Sequence, residues 1–308
     1  MNNLLSIFCT VDDFCKNILS KLEAKSLLIP SKKRKRKHRL SYSEIMTLLV
    51  YFHCSRYRDF KTYYTQYVCV HLVQDFPKLL SYTRFVELIP SVMGLLTLFL
   101  HLQKTQESGI YFIDSTTLSV CHIKRAASNK VFRNLAKTSK STMGWYHGFK
   151  LHILINELGE ICAFKLTDSK RDDREVVPKL TQNKKGKLIG DKGYISSKLF
   201  QNLYQKGLKL ITKIKKNMKN KCMDLGEKIL LRKRAIVESV IDQLKNISQV
   251  EHSRHRSPTN FLVNVLSGLV AYSFKEKKPS LRFNRVLLEN ILLLYRTHVI
   301  RGCCRIKN

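Results

Sequence analysis

Three carboxylates stand where carboxylates are not expected. Asp114 interrupts YFIDSTTLSV (111–120), a segment otherwise of strand composition. A charged group there is costly to bury without a partner. Asp191 directly follows Leu-Ile-Gly, at the carboxyl end of a second predicted strand. That edge is where α/β sheets take their ligands. Glu238 lies in RAIVESVIDQLK, beside an apolar stripe of Val237, Val240, Ile241, Leu244 and Ile247. Arg234 and Lys245 lie four positions before it and seven after, so on a helix they return to nearly the same face. Carboxylates that converge repel one another and are stable together mainly around divalent cations. Hard oxygen donors completed by water and phosphate suit Mg²⁺. Two such ions about 4 Å apart clamp a phosphodiester between an attacking and a leaving oxygen. The chemistry expected of such a centre is the cutting or transfer of nucleic-acid strands.

Each residue also has a plainer reading. Asp114 could pair with a buried Lys or Arg, Asp191 could form a turn before Lys-Gly-Tyr, and Glu238 could be a surface partner of Arg234. Asp168, Asp172 and Asp173 are rival carboxylates, in a stretch where Asp is expected to cap a helix. Asp242, one turn after Glu238, competes with it as third ligand. Lys150 and His152 alternate with Phe149, Leu151 and Ile153, so they share one strand face. They are candidates for phosphate contact near the ions, or an exposed hairpin face.

The bulk composition agrees with a polyanionic partner. Over 308 residues, 56 Lys and Arg stand against 23 Asp and Glu, a formal charge of +33. That balance disfavours cationic or neutral metabolites as substrates and favours nucleic acid. An anionic membrane surface is the competing partner. The best apolar run, VMGLLTLFL (92–100), falls short of the roughly 20 residues of a span, so no membrane is expected. The first residues lack a basic start and carry Asp12 and Asp13, unlike a signal peptide. Nine cysteines, with no Cys-x-x-Cys, signal neither a disulfide framework nor zinc, and fit a reducing, cytoplasmic setting.

The elements that must position these groups fall into three stretches. Residues 1–105 read as helical and basic, a DNA-binding region. Seven Lys and Arg crowd residues 32–39, and Lys33, Arg34 and Arg36 are candidate phosphate contacts. Ser41 or Ser43 can cap the helix that follows. Arg56, Arg58 and Lys61 are interleaved with tyrosines, which suits phosphate contact and base stacking, or a basic face over a tyrosine core. Residues 106–276 alternate strands and helices: the Asp114 strand, a polar loop over 122–144, a hairpin turning at Asn-Glu-Leu-Gly, and then helix, strand, helix, strand. Two amphipathic helices follow, one over 231–247 and one capped by Ser257 with Pro258 at its first position. The fold class expected is α/β, a mixed sheet flanked by helices. Residues 277–308 form a basic tail with no assigned role.

The segments FIDSTTL, HGFKLHILIN, IGDKGYIS and RKRAIVESVIDQLKN resemble the DDE transposases of bacterial insertion sequences. Arg234, Glu238 and Lys245 match the signature around the catalytic Glu of the insertion-sequence-four-like relatives, except that Leu231 stands where those have Tyr. VDDFCK, LSYSEIMTLLVYF, YRDFKTYY and EHSRHRSPTNFLVNVLSGLVAY resemble the insertion-sequence family nine-eighty-two. The resemblance implies an RNase H-like catalytic domain and a triad falling on Asp114, Asp191 and Glu238. It implies two Mg²⁺ ions, with Mn²⁺ able to substitute. Its expected partners are double-stranded DNA, as terminal inverted repeats and target, and a second copy of the chain on that DNA. The implied activity is cleavage at the element's ends followed by attack of the freed 3′-OH on target DNA, in a bacterial nucleoid. Arg234 and Lys245 would hold phosphates or orient Glu238. The alternatives are an RNase H-like nuclease without strand transfer and an inactive DNA-binding derivative.

Overall fold

The computed structural model describes residues 4–26, 39–142, 144–214, 218, 223–251 and 255–281. The chain forms two compact units that alternate along the sequence. Of the described residues, those up to 104, in 119–135 and in 242–276 make a helical unit, and those in 105–118, 136–241 and 277–281 make a sheet unit.

The helical unit contains α1 (Leu4–Ser26), α2 (Tyr42–Cys54), α3 (Tyr82–Leu88), α4 (Met93–Leu102) and, late in the chain, α9 (Pro258–Ser273). Ser41 caps α2: its hydroxyl takes the Glu44 N–H while Glu44 takes the Ser41 N–H, a capping box. Ser257 caps α9 with Pro258 at the first turn, as the sequence predicts. α2 and α9 are the unit's core elements, contributing Ile45, Met46, Leu48, Val263, Leu269 and Val270 to its interior. At roughly 1.5–3 kcal/mol per buried side chain, this packing outweighs any single polar contact in the unit.

The sheet unit holds β1 (Ile110–Cys121, whose last residues belong to the helical unit), β2 (Lys137–Ser141), β3 (Gly144–Asn156), β4 (Ile161–Asp168), β5 (Gly186–Gly190) and β6 (Leu208–Thr212). Its helices are α5 (Asp173–Leu180), α6 (Ser197–Gln205), α7 (Leu225–Arg232) and α8 (Ala235–Asp242). The strand path is β2-β3-β1-β5-β6, with β4 also paired to β3. β2 and β4 run antiparallel to β3, whereas β5 runs parallel to β1 and to β6. Hairpins on one side of β1 and helix-linked parallel strands on the other make an α/β sheet of RNase H-like order. One sheet face carries Tyr111, Ile113, Leu154, Leu188 and Leu210 against Val176, Val177 and Leu180 of α5 and Leu199 and Leu203 of α6. Strand alternation sends the intervening residues, Phe112, Asp114 and Ile189 among them, to the opposite face.

Several local expectations change. The stretch 122–144, read as a loop, contains β2. Its sequence Lys-Thr-Ser-Lys-Ser has no apolar alternation because β2 ends the strand path as an edge strand. The helix expected over 231–247 starts earlier and is broken: α7 stops at Arg232, α8 begins at Ala235, and Gln243–Ile247 winds as a π-helix. The expected helix after Phe60 includes a π-helical stretch, Tyr63–Val68. Tyr63 and Tyr64 are buried there, their hydroxyls donating to the carbonyls of Leu48 and Leu80, so neither ring is open to a base. The apolar run around 92–100 belongs to a longer helical segment, Tyr82–Leu102, bent by a 3₁₀ turn at Ile89–Val92. By length and composition that segment reaches membrane-spanning size, and Phe85, Leu88, Val92, Leu96 and Phe99 are buried within this unit.

Candidate active site

β1 is fully buried from Ile110 to Ile113 and half-buried from Asp114 to Thr117. The change coincides with the end of β5, whose pairing with β1 runs from Ile110↔Lys187 to Phe112↔Ile189. Asp114 therefore lies just past the last rung, where the strand emerges from cover. Its Oδ1 accepts the Ser115 N–H at 2.8 Å, and its Oδ2 accepts from Arg234 Nη1 at 3.2 Å. Burial pushes the Asp114 carboxyl above the ordinary carboxylate value, against the opposing pull of the Ser115 N–H and Arg234. The cost of a carboxylate in this strand is met in part by one guanidinium.

Arg234 sits in the break between α7 and α8 and closes a turn in which its carbonyl accepts the Val237 N–H at 3.0 Å. Its second nitrogen, Nη2, donates to Glu238 Oε1. One half-buried cation thus joins Asp114, from β1, to Glu238, from the first turn of α8. The helix break missed by periodicity is what turns Arg234 toward the strand.

Asp191 occupies the N-cap position of the short 3₁₀ turn Lys192–Tyr194 directly after β5, with no side-chain capping bond, and is exposed. Asp191 lies two residues past Ile189, the last residue of β5 paired with β1, as Asp114 lies two residues past its partner Phe112. Gly190 permits the close approach at this edge: a Cβ there would stand 3.1 Å from the Tyr194 ring and 3.3 Å from Ile113. Among the described residues, Asp114 and Glu238 are joined through Arg234, while no hydrogen bond or ion pair joins Asp191 to either. Among the described residues, no group of three or more His, Cys, Asp or Glu is close enough to hold a metal ion. The donor chemistry fits a hard divalent cation, with carboxylate oxygens from Asp114 and Glu238 already drawn to one positive charge.

The other expected contacts fall elsewhere. Lys150 and His152 do share a face, but it is the α5 face, opposite Asp114. Lys150 Nζ donates to Asp173 Oδ1 at 2.8 Å and to the Arg171 carbonyl at 3.0 Å. His152 is fully buried with Nε2 2.9 Å from Thr167 Oγ1, which corrects the expectation that it touches DNA. Desolvation lowers its pKa to about 4. Lys245 belongs to the helical unit, where it pairs with Glu251 at 2.9 Å. Asp242 accepts from Asn246 Nδ2 at 2.6 Å. Asp168 caps a turn through the Lys170 N–H, and Asp172 caps α5, as their sequence context predicts. Lys33, Arg34 and Arg36 lie outside the described residues. Sequence reasoning underrated Asp173, which accepts from Ser115 Oγ at 2.9 Å as well as from Lys150. The available signal was Ser115 itself, which must point away from Asp114 on a strand.

A mixed sheet of this order, flanked by helices, is an RNase H-like fold. Residues 104–258, half of the chain, match the family model described as Transposase DDE domain. The chain belongs to that family, and its function is that of a transposase. Among solved structures it is similar to a piggyBac transposase synaptic complex with hairpin DNA, at 11% identity and TM-score 0.47, covering 100% of this chain and 82% of that one. It is also similar to the Mos1 strand transfer complex, at 10% identity and TM-score 0.22, covering 64% of this chain and 65% of that one. The Mos1 mariner paired-end complex with Mn gives the same identity and TM-score, 10% and 0.22, with 64% and 66% covered. At these scores nothing further rests on the structural likenesses. No curated protein matches the chain.

Proposed function

We propose that this chain is the transposase of a bacterial insertion sequence of the nine-eighty-two family, with Asp114, Asp191 and Glu238 as its catalytic carboxylates. The observation that carries the reading is the Arg234 bridge between Asp114 and Glu238 at a strand end, with Asp191 at the end of the neighbouring strand. Mg²⁺ or Mn²⁺ bound there supplies Lewis-acid activation of water and stabilises the leaving oxygen. Asp114 and Asp191 offer oxygens from a rigid sheet edge, while Glu238 offers them from a helix start. Arg234 balances their charge and holds α8 to β1. The DNA reaction proceeds in two exchanges of bonds. Water displaces the 3′-oxygen from phosphorus at the element's end, leaving a free 3′-OH and a 5′-phosphate. That 3′-OH then attacks a target phosphodiester, its proton passes to solvent, and the displaced 3′-oxygen leaves as a hydroxyl. No protein nucleophile is consumed. The net charge of +33 supports two DNA segments as partners, terminal inverted repeats and target, held by two copies of the chain.

The test is an assay on labelled duplexes ending in the element's own inverted repeats. Mg²⁺-dependent cleavage followed by joining to a second duplex is the expected result. Cleavage without joining would reduce the chain to an RNase H-like nuclease, and binding without cleavage to an inactive derivative. If Asp242→Ala abolished cleavage and Glu238→Ala spared it, the third ligand would be Asp242.

A further inference from the structure

Ser115 follows Asp114 on a strand, so their side chains leave on opposite faces of the sheet. Asp114 meets Arg234 on one side, and Ser115 Oγ donates to Asp173 Oδ2 at 2.9 Å on the other. Asp173 is the first residue of α5, behind the Asp172 cap, and its other oxygen is held by Lys150 of β3 at 2.8 Å. One carboxylate therefore ties β1, β3 and α5 together immediately behind the strand position that presents Asp114. The Ser115 N–H, fixed by the same residue, is the donor to Asp114 Oδ1.

The surroundings of Asp173 are polar in an otherwise apolar layer. Tyr146, His152 and Tyr194 are each more than nine-tenths buried, and Asp173 acts electrostatically on all three. The Tyr146 hydroxyl lies against Ser169 and the Tyr194 hydroxyl against Ser115 itself, while Nδ1 of His152 has no hydrogen-bond partner among the described residues. Ser115 thus stands between Asp173 and the buried Tyr194, inside a polar group behind Asp114. Lys150, the cation in this group, is committed to Asp173 and the Arg171 carbonyl.

We propose that Asp173 is a positioning residue: acting through Ser115, it fixes Asp114 for divalent-cation binding from the far side of the sheet. The inference rests on Asp114 being a metal ligand, and hydrogen-bonded supports of ligands typically govern affinity by about 10–100-fold. The experiment is calorimetric titration of the full chain with Mn²⁺, without DNA, for the parent and the variants Ser115→Ala, Ser115→Thr, Asp173→Ala and Asp114→Ala. Ser115→Ala and Asp173→Ala are each expected to weaken Mn²⁺ binding about tenfold. The double variant should be no more than about twofold worse than the worse single one, because both act along one path. Ser115→Thr keeps the hydroxyl and should bind as the parent does. If Asp173→Ala fails to fold by circular dichroism, Ser115→Ala, which removes only one oxygen, carries the test. Folded Ser115→Ala and Asp173→Ala proteins with parental affinity, alongside an Asp114→Ala protein that has lost it, would overturn the positioning role and leave the metal centre standing. Parental affinity in Asp114→Ala would overturn the metal centre itself.

Discussion

Each unit buries a histidine, and the two differ in what surrounds them. His53, in α2, directs Nδ1 to the Ser248 carbonyl, a backbone group of its own helical unit. His152, in β3, meets the Thr167 hydroxyl and lies within the field of Asp173. Desolvation lowers both to about 4. The contrast extends to their neighbours. Tyr63, Tyr64 and Ser267 of the helical unit also end on backbone carbonyls. In the sheet unit, Arg234 is divided between two carboxylates, and Asp173 between a hydroxyl and an ammonium. Backbone partners close a fold, whereas side chains shared among side chains can be re-paired when a cation or a phosphate arrives. The chemistry proposed for Asp114 and Glu238 sits where the sharing is.

The largest effect that would sharpen this contrast is on cleavage. Asp114→Asn is expected to lower Mg²⁺-dependent cutting by roughly 10³-fold or more, read on labelled transposon ends. The same change should raise the melting temperature at pH 7. Burial raises the Asp114 pKa, so folding favours its protonated form, and the ionised form weakens the fold as pH rises above the ordinary carboxylate range. The gain should vanish near pH 3, where the parent carboxyl is protonated too.

Next in size is acid sensitivity. His53 and His152 bind protons less readily folded than unfolded, so the stability they supply is present above about 6.5 and lost as pH falls toward about 4. Each contributes roughly 3 kcal/mol over that window. Urea denaturation at pH 7 and pH 5 should show a smaller fall in His53→Gln and in His152→Gln than in the parent. An unchanged fall in both would show that neither buried imidazole is held neutral.

Smaller still are the two cations that helix spacing put on a common face. Arg234→Ala leaves two carboxylates without their shared partner and should cost about 1–3 kcal/mol by chemical denaturation. Arg234→Lys should recover little, since a single ammonium does not span both acceptors as a guanidinium does. Lys245→Ala removes one half-exposed pair with Glu251 and should cost no more than about 1 kcal/mol. Equal costs would erase the distinction between shared and single partners.

The carboxylates and Arg234 were legible in the sequence because each breaks a local pattern: a charge in a strand, an acid after a Leu-Ile-Gly end, a cation one turn from a Glu. The caps at Ser41 and Ser257 were legible for the same local reason. The break at Lys233 and Arg234 was not, since neither Gly nor Pro marks it and the apolar period runs on through it. β2 was hidden by its polarity. Asp173 looked like one more helix-capping acid among three, and only the packing of α5 against β1 and β3 sets it apart from Asp172. Lys150 and His152 were correctly paired on one face, but strand alternation alone does not say which face of a sheet is the working one.

The chain crosses between its units after residues 104, 118, 135, 241 and 276. No single cut therefore releases either unit as a continuous piece. A fragment starting at Thr105 keeps 119–135 and 242–276, which then lack the first hundred residues of their own core. A chain ending at Ile241 keeps most of the sheet unit but strips α9 from the helices. Truncation at either of these points therefore leaves pieces of the helical unit stranded without the rest of their core, so the unit that looks peripheral in sequence is the one least able to be trimmed away.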